Sequence, residues 1–493
     1  MNKYLPSITC SLCLCLWIYA LGWAVAGYPV YRDQHLGAAL HYATNGIDLL
    51  RPVIPGFNAT GTGTPQELPL WQACAAWALR LGNGWWGAAT IISLFLFTLS
   101  LSFFWLPLRA EFSSPIAWLG LAFLLTQPVV FHLAGSAQTE GLALALLFLF
   151  IWSSENLRKQ IGWGTFMLCA MSAVLLSLTK LPFLVAGGLA AIFRLVFCRE
   201  TSRSNWLLLG LAGFVSILFF YLWNQWCEQE IQRALFRYKL VTLKEMPEWF
   251  FGSWAFRLDP VNYLKAGWRA LGCLWGSFVL VGLTFYGLYK NPRSLGACLF
   301  YGGILTTLIF THLVFVHHHY YLMFSPAVAC LNTSAIFAAF PNPKKWVVAI
   351  IVPLLLLSLA QGLISINAVA CGDPYNKRVG ALIASNSSPE EKLMVLSHSW
   401  GGEAFLHSGR DGLSVEDFSL ADNPETLAKL RQLGYTKFIW ISESPLLYAL
   451  RVTNPGEAER KRGGFPVHPP VSTSTWHPVY ESDEVVIKEL PAQ

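Results

Sequence analysis

The sequence predicts a mainly α-helical protein: a polytopic transmembrane helix bundle of about eleven spans, followed by a small C-terminal α/β domain outside the membrane. Three observations lead to this fold class. The 493-residue chain is 54% hydrophobic and only 13% charged, whereas about a quarter of the residues in soluble domains are charged. Apolar runs recur along roughly the first 370 residues. Beyond that point, short β-like runs alternate with a helical pattern.

The apolar runs are mostly long enough to cross a bilayer, which takes about 20 residues. They lie near residues 8–27, 86–107, 115–134, 139–153, 162–179, 181–198, 205–224, 270–289, 295–316, 320–339 and 346–366. The first run follows Lys3 and contains Ala24-Val25-Ala26, both typical of a cleaved signal peptide. Its length nevertheless favours an uncleaved first helix.

Basic residues indicate the orientation of the bundle. They fall before the first span and in short loops that follow every second span, at Lys3, Arg109, Arg158, Lys159, Arg199, Arg203, Lys290, Arg293, Lys344 and Lys345. All these loops therefore lie on one face of the membrane, and the positive-inside rule makes that face cytoplasmic. We therefore expect a plasma (inner) membrane protein with a cytoplasmic N-terminus and an extracytoplasmic C-terminal domain. The net charge of +6 then reflects topology, and we expect no nucleic-acid partner.

Residues 1–370 form the predicted membrane domain, which has two long external segments. In the first, residues 28–84, the pattern predicts two amphipathic helices on the bilayer surface: one ends at Asn45-Gly46, and Leu70, Cys74, Trp77 and Leu81 line one face of the other. The second, residues 225–269, interleaves basic and aromatic residues and also indicates interfacial helix and loop.

Residues 371–493 form the predicted soluble domain. Lys392–His398 and Lys437–Ser442 are strand-like, and Pro424–Leu433 is helical. Val479–Glu481 and Val485–Leu490 predict a closing hairpin. At about 120 residues the domain is large enough for a modest core of its own.

Candidate functional residues lie at the predicted outer ends of the spans. They are Asp33, Glu67, Glu140, Lys180 and the run from His317 to Tyr321. Polar groups at membrane depth are costly and usually face a cavity or a partner. Each also has a structural interpretation: Asp33 and Glu140 as helix caps, Glu67 as a solvated loop residue, and Lys180 as a snorkelling side chain.

A metal site has little support in the sequence. Most of the eleven cysteines, Cys10 and Cys13 among them, lie inside apolar runs, where cysteine behaves as a small hydrophobic residue. The three histidines are adjacent instead of lying at i and i+4 on one helix face.

The order of these motifs resembles the GT-C superfamily of polytopic glycosyltransferases, in the branch of bacterial protein O-mannosyltransferases and lipid A aminoarabinose transferases. The matching elements over roughly residues 1–370 are Asp33, Glu67-Leu68-Pro69, Glu140, Lys180-Leu181-Pro182 and His319-Tyr320-Tyr321. The chain departs from the family where it has Asp33-Gln34 in place of Asp-Glu, and Glu140 in place of Asp.

This resemblance implies transfer of a sugar, with inversion, from a polyprenyl-phosphate donor to an acceptor hydroxyl on the outer face. It makes Asp33 the expected base, with Glu67 orienting the acceptor or the base. Positive or polar groups at the donor phosphate would be Lys180, Arg237, Lys239, His319 and Tyr320, with His35 and Glu140 in support. The implied partners are the lipid-linked donor, membrane lipids, and an acceptor lipid, protein or glycan. No cofactor is required, although a divalent cation is a candidate.

Two other classes fit parts of the sequence. A transporter or lipid flippase would place ionisable residues in mid-span, but the span interiors are nearly free of acids. A scaffold that binds partners through its outer domain accounts for the aromatic external segments and leaves the set of acids at the outer span ends without a role.

Overall fold

The computed structural model describes residues 4–26, 33–56, 67–197, 202–233, 244, 247–340, 345–370, 374–396, 402–415, 423–441, 473, 476–482 and 485–490. The chain divides into two compact units. The helical unit comprises Met1–Val30, Leu81–Gln225 and Val241–Cys371; the mixed unit comprises Tyr31–Arg80, Trp226–Leu240 and Gly372–Gln493. The predicted division at residues 370 and 371 stays a prediction.

The helical unit contains most of the helices. They are α1 (Tyr4–Val25), α4 (Gly87–Glu111), α5 (Ser114–Leu125), α6 (Pro128–Leu133), α7 (Glu140–Lys159), α8 (Trp163–Phe197), most of α9 (Arg203–Gln232), α10 (Pro247–Phe251), α11 (Trp254–Leu258), α12 (Pro260–Ala270), α13 (Phe278–Lys290), α14 (Leu295–Ile309), α15 (Thr311–Val316), α16 (Ser325–Ala339) and α17 (Lys345–Ala370). A π-helical turn, Leu271–Trp275, follows α12, and a 3₁₀ segment, His318–Phe324, precedes α16.

Helix α8 is 35 residues long, about 50 Å at 1.5 Å per residue, which exceeds one bilayer crossing. Its backbone leaves helical geometry at Lys180 (φ −154°, ψ 86°). Pro182, two residues later, contributes to the break, because proline lacks an N–H and its ring clashes with the carbonyl four residues before it, so the helical hydrogen bond that would span Lys180 is lost. The break falls where the two predicted spans 162–179 and 181–198 meet.

Several other predicted runs are broken helices. Residues 115–134 form α5 and α6, and residues 295–316 form α14 and α15. At the start of run 270–289 the chain bends by 92° between the π turn and α13. Gly276 makes this bend with φ +64°, and a Cβ there would lie 2.0 Å from the Ser358 carbonyl oxygen, so only glycine fits.

The surface of the helical unit is that of a membrane protein. Helix α16 lies in the interior, whereas Leu207 (74% exposed) and Phe214 (64% exposed) point outward from α9. Apolar surface on this scale is unfavourable in water and normal in lipid. Among the described residues, six helices are long and apolar enough to cross a membrane, or seven if the bent pair around Gly276 is one span. The mainly α fold class is confirmed, and the count of eleven stays a prediction.

The mixed unit joins the first external segment to the C-terminal tail. It contains α2 (Asp33–Asn45), α3 (Leu70–Leu81), α18 (Pro374–Ser385), α19 (Gly402–Ser408) and α20 (Pro424–Gln432). Its strands are β1 (Lys392–Leu396), β2 (Asp411–Val415), β3 (Tyr435–Ile441), β4 (Pro478–Glu481) and β5 (Val485–Glu489). The sheet has the order β2-β1-β3-β5-β4, with β1 parallel to β2 and β3, and β5 antiparallel to β3 and β4.

The tail predictions for β1, β3, α20 and the closing hairpin are confirmed, whereas β2 was not predicted. Helix α2 ends at Asn45 as predicted, followed by Gly46 with φ +101°. In α3, the predicted apolar face points away from the rest of the unit, because Cys74, Trp77 and Leu81 are exposed. The buried side chains, Trp71 and Leu79, lie on another face of the helix. This exposure is what an interfacial helix requires.

The first external segment is part of the tail's structure. The Ser414 N–H donates to the Gly56 carbonyl at 2.8 Å, which extends the β2 edge of the sheet. Arg80 of α3 donates to the Tyr42 and Ala43 carbonyls at 2.8 Å each and so caps the C-terminus of α2. The Trp226 indole, near the end of α9, donates to the Leu50 carbonyl at 2.9 Å. The sequence patterns did not predict these connections.

Candidate active site

Glu140 is the first residue of α7, as the sequence predicted, and its side chain is completely buried. The partial positive charge at a helix N-terminus favours an anion there. That contribution is small beside the cost of burying a carboxylate, so the charge requires cationic partners.

Lys180 provides one of these partners. It lies at the break in α8 and is 3% exposed. Its Nζ is 3.5 Å from Glu140 Oε1 and 5.6 Å from the centre of the Tyr320 ring. The ammonium therefore has a carboxylate on one side and an aromatic face on another, which is a favourable environment for a buried cation. Lys180 does not snorkel to the surface.

His319 and Tyr320 bring the third element, the 3₁₀ segment, to the same point. His319 Nε2 is 3.8 Å from Glu140 Oε1, and the His319 ring centre is 4.4 Å from that of Tyr320. His319 is 4% exposed. Glu140, Lys180, His319 and Tyr320, here called the Glu140 cluster, are thus gathered from helices α7 and α8 and the 3₁₀ segment.

The cluster concentrates positive and hydrogen-bonding groups around one carboxylate oxygen in a nearly water-free setting. In such surroundings, electrostatic interactions are stronger than in water. Lys180, His319 and Tyr320 can together supply a cation, an imidazole N–H and a phenolic O–H. These are suitable groups for binding a phosphate.

Further polar residues near the 3₁₀ segment were not predicted. His132 Nδ1 of α6 forms a hydrogen bond with the Tyr19 hydroxyl, at a distance of 3.2 Å. The Trp249 and His317 rings pack edge to face, with their centres 5.5 Å apart. The Trp249 backbone carbonyl lies 2.9 Å from His312 Nδ1. The sequence signal that could have identified His132 and His312 is a histidine inside an otherwise apolar run. That signal alone favours no particular role.

The mixed unit holds a second pair of candidates. His35 Nε2 of α2 lies 3.6 Å from Glu67 Oε2, just before α3, and the His35 ring is 6.4 Å from the Trp71 ring. His35 is buried, and Glu67 is partly exposed. Glu67 is therefore not a freely solvated loop residue, because it faces an imidazole. Asp33 begins the same helix as His35, and its side chain lies outside the described residues.

Two candidate cations, Arg237 and Lys239, also lie outside the described residues. Among the residues that the structure describes, no group of three or more His, Cys, Asp or Glu side chains could hold a metal ion. The roles of the individual site residues stay predictions.

Comparisons with known proteins bear on the fold. No protein-family profile and no curated protein sequence matches the chain. The structure is similar to ArnT from Cupriavidus metallidurans bound to undecaprenyl phosphate: the TM-score is 0.62 at 12% identity, over 99% of this chain and 98% of that one. The apo oligosaccharyltransferase of Archaeoglobus fulgidus matches with a TM-score of 0.59 at 11% identity, over 96% of this chain and 73% of that one.

A third structure is the archaeal oligosaccharyltransferase AglB from Archaeoglobus fulgidus, in complex with an inhibitory peptide and a dolichol-phosphate. It matches with a TM-score of 0.53 at 9% identity, over 96% of this chain and 72% of that one. The similarity to all three extends through the helical unit and the C-terminal tail, since it covers nearly all of this chain. The chain therefore shares its fold with these three structures, in agreement with the resemblance to the GT-C glycosyltransferases that its sequence motifs carry.

Proposed function

We propose that this protein is a membrane glycosyltransferase that moves a sugar from a polyprenyl-phosphate-linked donor to an acceptor hydroxyl on the outer face of the plasma membrane. The observation that carries the proposal is the Glu140 cluster, which gathers buried phosphate-binding groups in a chain that shares its fold with ArnT. The ArnT structure was solved with undecaprenyl phosphate bound. Transfer of a hexosyl or a pentosyl group is consistent with this fold.

The cluster would hold the donor phosphate, which is the leaving group. A phosphate ester leaves as an anion and needs positive charge more than it needs a proton. Glu140, 3.5 Å from Lys180 Nζ, balances the charge of the buried ammonium before the donor binds. The arriving phosphate then attracts Lys180 and accepts hydrogen bonds from His319 and Tyr320. Arg237 and Lys239 are further candidates for this role, and a divalent cation is another source of charge.

At the other end of the reaction, Asp33 would act as the base. The acceptor oxygen attacks the anomeric carbon as the bond from that carbon to the phosphate oxygen breaks, which inverts the centre. The acceptor proton passes to the Asp33 carboxylate. Glu67, already 3.6 Å from His35, would orient the acceptor or the base.

The partners follow from this chemistry. The donor is a polyprenyl-phosphate sugar held partly by membrane lipids, and the acceptor is a lipid, a protein or a glycan. With the basic loops in the cytoplasm, the C-terminal domain would lie outside the cell membrane, where it could help to select the acceptor.

Release of polyprenyl phosphate from a radiolabelled polyprenyl-phosphate sugar by the purified protein, with the sugar passing to the hydroxyl of an added membrane extract or to water, tests the proposal. We expect release from the wild-type protein and at least a thousandfold slower release from Asp33→Asn, because an amide cannot take up the acceptor proton. The matched control is Asp48→Asn in the same external segment. Asp48 accepts hydrogen bonds from the Leu50 and Arg51 N–H groups, a role that an amide oxygen preserves.

The outcomes separate the competing classes. Wild-type rates in Asp33→Asn would remove Asp33 as the base. No cleavage of any lipid-linked sugar, combined with movement of the intact lipid between leaflets of a vesicle, would favour the flippase. Loss of release on adding EDTA, with recovery on adding Mg²⁺ or Mn²⁺, would assign a divalent cation to the site.

A further inference from the structure

The end of α15, directly before the histidines of the 3₁₀ segment, is held by an arginine from another element. The last carbonyls of a helix have no partner within the helix and need donors from elsewhere. Arg269 at the end of α12 donates from Nη1 to the Phe315 carbonyl and, at 2.8 Å, to the Val316 carbonyl. A guanidinium at this position also interacts favourably with the negative end of the helix dipole.

A second bond connects α12 to the same stretch of chain. The Tyr321 hydroxyl donates to the Ala266 carbonyl at 3.0 Å, and both residues are buried. The hydrogen bonds to α12 flank the histidines: those from Arg269 are at residues 315 and 316, and that from Tyr321 is at residue 321. His319 and Tyr320 therefore lie between two attachments to a single helix.

The opposite side of α12 is apolar and exposed. Leu264 is 74% exposed and Trp268 is 73% exposed, and the two are one helical turn apart. With its polar side bonded to the 3₁₀ segment and its apolar side outward, α12 has the character of a helix lying in the membrane interface.

We propose that Arg269 is a positioning residue for the donor-phosphate site: together with Tyr321 it fixes the 3₁₀ segment so that His319 meets Glu140 and Tyr320 meets Lys180. The inference rests on the proposed function of the Glu140 cluster. Misplacement of a binding group by about 1 Å is enough to lose most of its effect. Arg269 acts through the backbone of residues 315 and 316 and not by contact with the donor.

Binding of undecaprenyl phosphate to the full-length protein in nanodiscs tests this inference, with undecaprenol as the uncharged probe. We expect Arg269→Gln to weaken binding of the phosphate about tenfold, because the charge-assisted hydrogen bonds to the Phe315 and Val316 carbonyls are lost. Undecaprenol binding should stay within about twofold of the wild type. Arg269→Lys should recover part of the loss, because an ammonium can still donate to the carbonyls.

The matched control is Arg257→Gln. Arg257 belongs to the same external segment and also donates to backbone carbonyls, those of Phe251 at 2.6 Å and Ile309 at 2.9 Å. Ile309 ends α14, however, and the whole of α15 lies between it and the 3₁₀ segment. We expect Arg257→Gln to bind undecaprenyl phosphate like the wild type.

Tyr321→Phe separates positioning from charge, since it changes no charge and removes only the bond to Ala266. It should weaken phosphate binding in the same direction as Arg269→Gln, and the double variant should lose no more than the sum of the two. If Tyr321→Phe has no effect while Arg269→Gln has a clear one, the positioning role is overturned, because Arg269 would then act by attracting the phosphate directly. An equal loss in Arg257→Gln, or none in Arg269→Gln, would also overturn it.

Two further measurements keep these outcomes distinct. Thermal unfolding identifies a variant that fails to fold, in which case Arg269→Lys and Tyr321→Phe decide the question. Lys180→Gln tests the underlying site: if it binds undecaprenyl phosphate as tightly as the wild type, the proposed phosphate site fails, whatever Arg269 does.

Discussion

Glu140 and Lys180 each make the other's burial tolerable. With 0% and 3% exposure, neither charge has access to water, and the desolvation penalty of each is several kcal/mol. Their 3.5 Å separation offsets that penalty without making the pair a source of stability, since matched apolar side chains of similar size often do as well. A buried pair of this kind, at a break in one helix and the start of another, is better explained by function than by folding.

A pair of variants tests that interpretation. Lys180→Met leaves the Glu140 carboxylate without its nearest cation and should lower the free energy of unfolding by about 3–5 kcal/mol. Adding Glu140→Met should restore most of this loss, although neither variant should release polyprenyl phosphate. Chemical unfolding in detergent, followed by tryptophan fluorescence, measures both. A double variant that is less stable than the single one would show that the ion pair itself supports the fold.

At the scale of elements, close helix packing depends on glycines that the hydropathy pattern does not distinguish. Gly287 and Gly282 both belong to α13. A Cβ on Gly287 would lie 2.1 Å from the Leu331 carbonyl oxygen of α16, whereas a Cβ on Gly282 would meet nothing within 4 Å. Small residues at such contacts let membrane helices approach one another closely.

This contrast gives a matched test within one helix. Gly287→Ala should destabilise the protein by about 1–3 kcal/mol, because the backbone of α16 must move to admit the methyl group. Gly282→Ala should be neutral or stabilising by up to about 1 kcal/mol, since alanine favours a helix more than glycine does. Thermal unfolding of both variants measures the difference. Equal effects would contradict the close approach of α13 to α16.

At the scale of the whole molecule, orientation decides whether the proposed chemistry is possible. Lipid-linked sugars and acceptors on the outer face require Asp33 and the Glu140 cluster to open outward. The alternation of basic loops predicts this arrangement through the positive-inside rule. The tail must then be extracytoplasmic, and the turn after α7 must be cytoplasmic.

Cysteine labelling in intact cells checks this topology. Glu425→Cys on α20 and Lys159→Cys at the end of α7 both replace exposed residues. A membrane-impermeant maleimide should label the first variant from outside and the second only after the membrane is opened, with the parent chain as background. The reverse pattern would place the tail in the cytoplasm and would remove the proposed outer-face reaction.

Local sequence patterns were enough to predict the class of the molecule and most of its regular elements, because hydropathy and turn chemistry are properties of neighbouring residues. A run of about 20 apolar residues indicates a membrane helix wherever it lies, and Glu140 could be assigned to a helix start from its immediate neighbours. The same local signals identified β1, β3, α20 and the closing hairpin. They did not identify β2, whose Asp-Gly-Leu-Ser-Val sequence is weakly strand-like alone and is paired between β1 and Gly56 in the fold.

Which candidate residues come into contact depends on how the helices pack in the folded protein. Residues 140, 180 and 319 belong to different elements, so no helical or strand period relates them, and their 3.5 and 3.8 Å separations arise from packing and from the break at Lys180. The same holds for the Arg269 and Tyr321 bonds around the 3₁₀ segment, and for the contact of the first external segment with β2. Such contacts depend on long-range packing, which residue type and spacing along the chain do not encode directly.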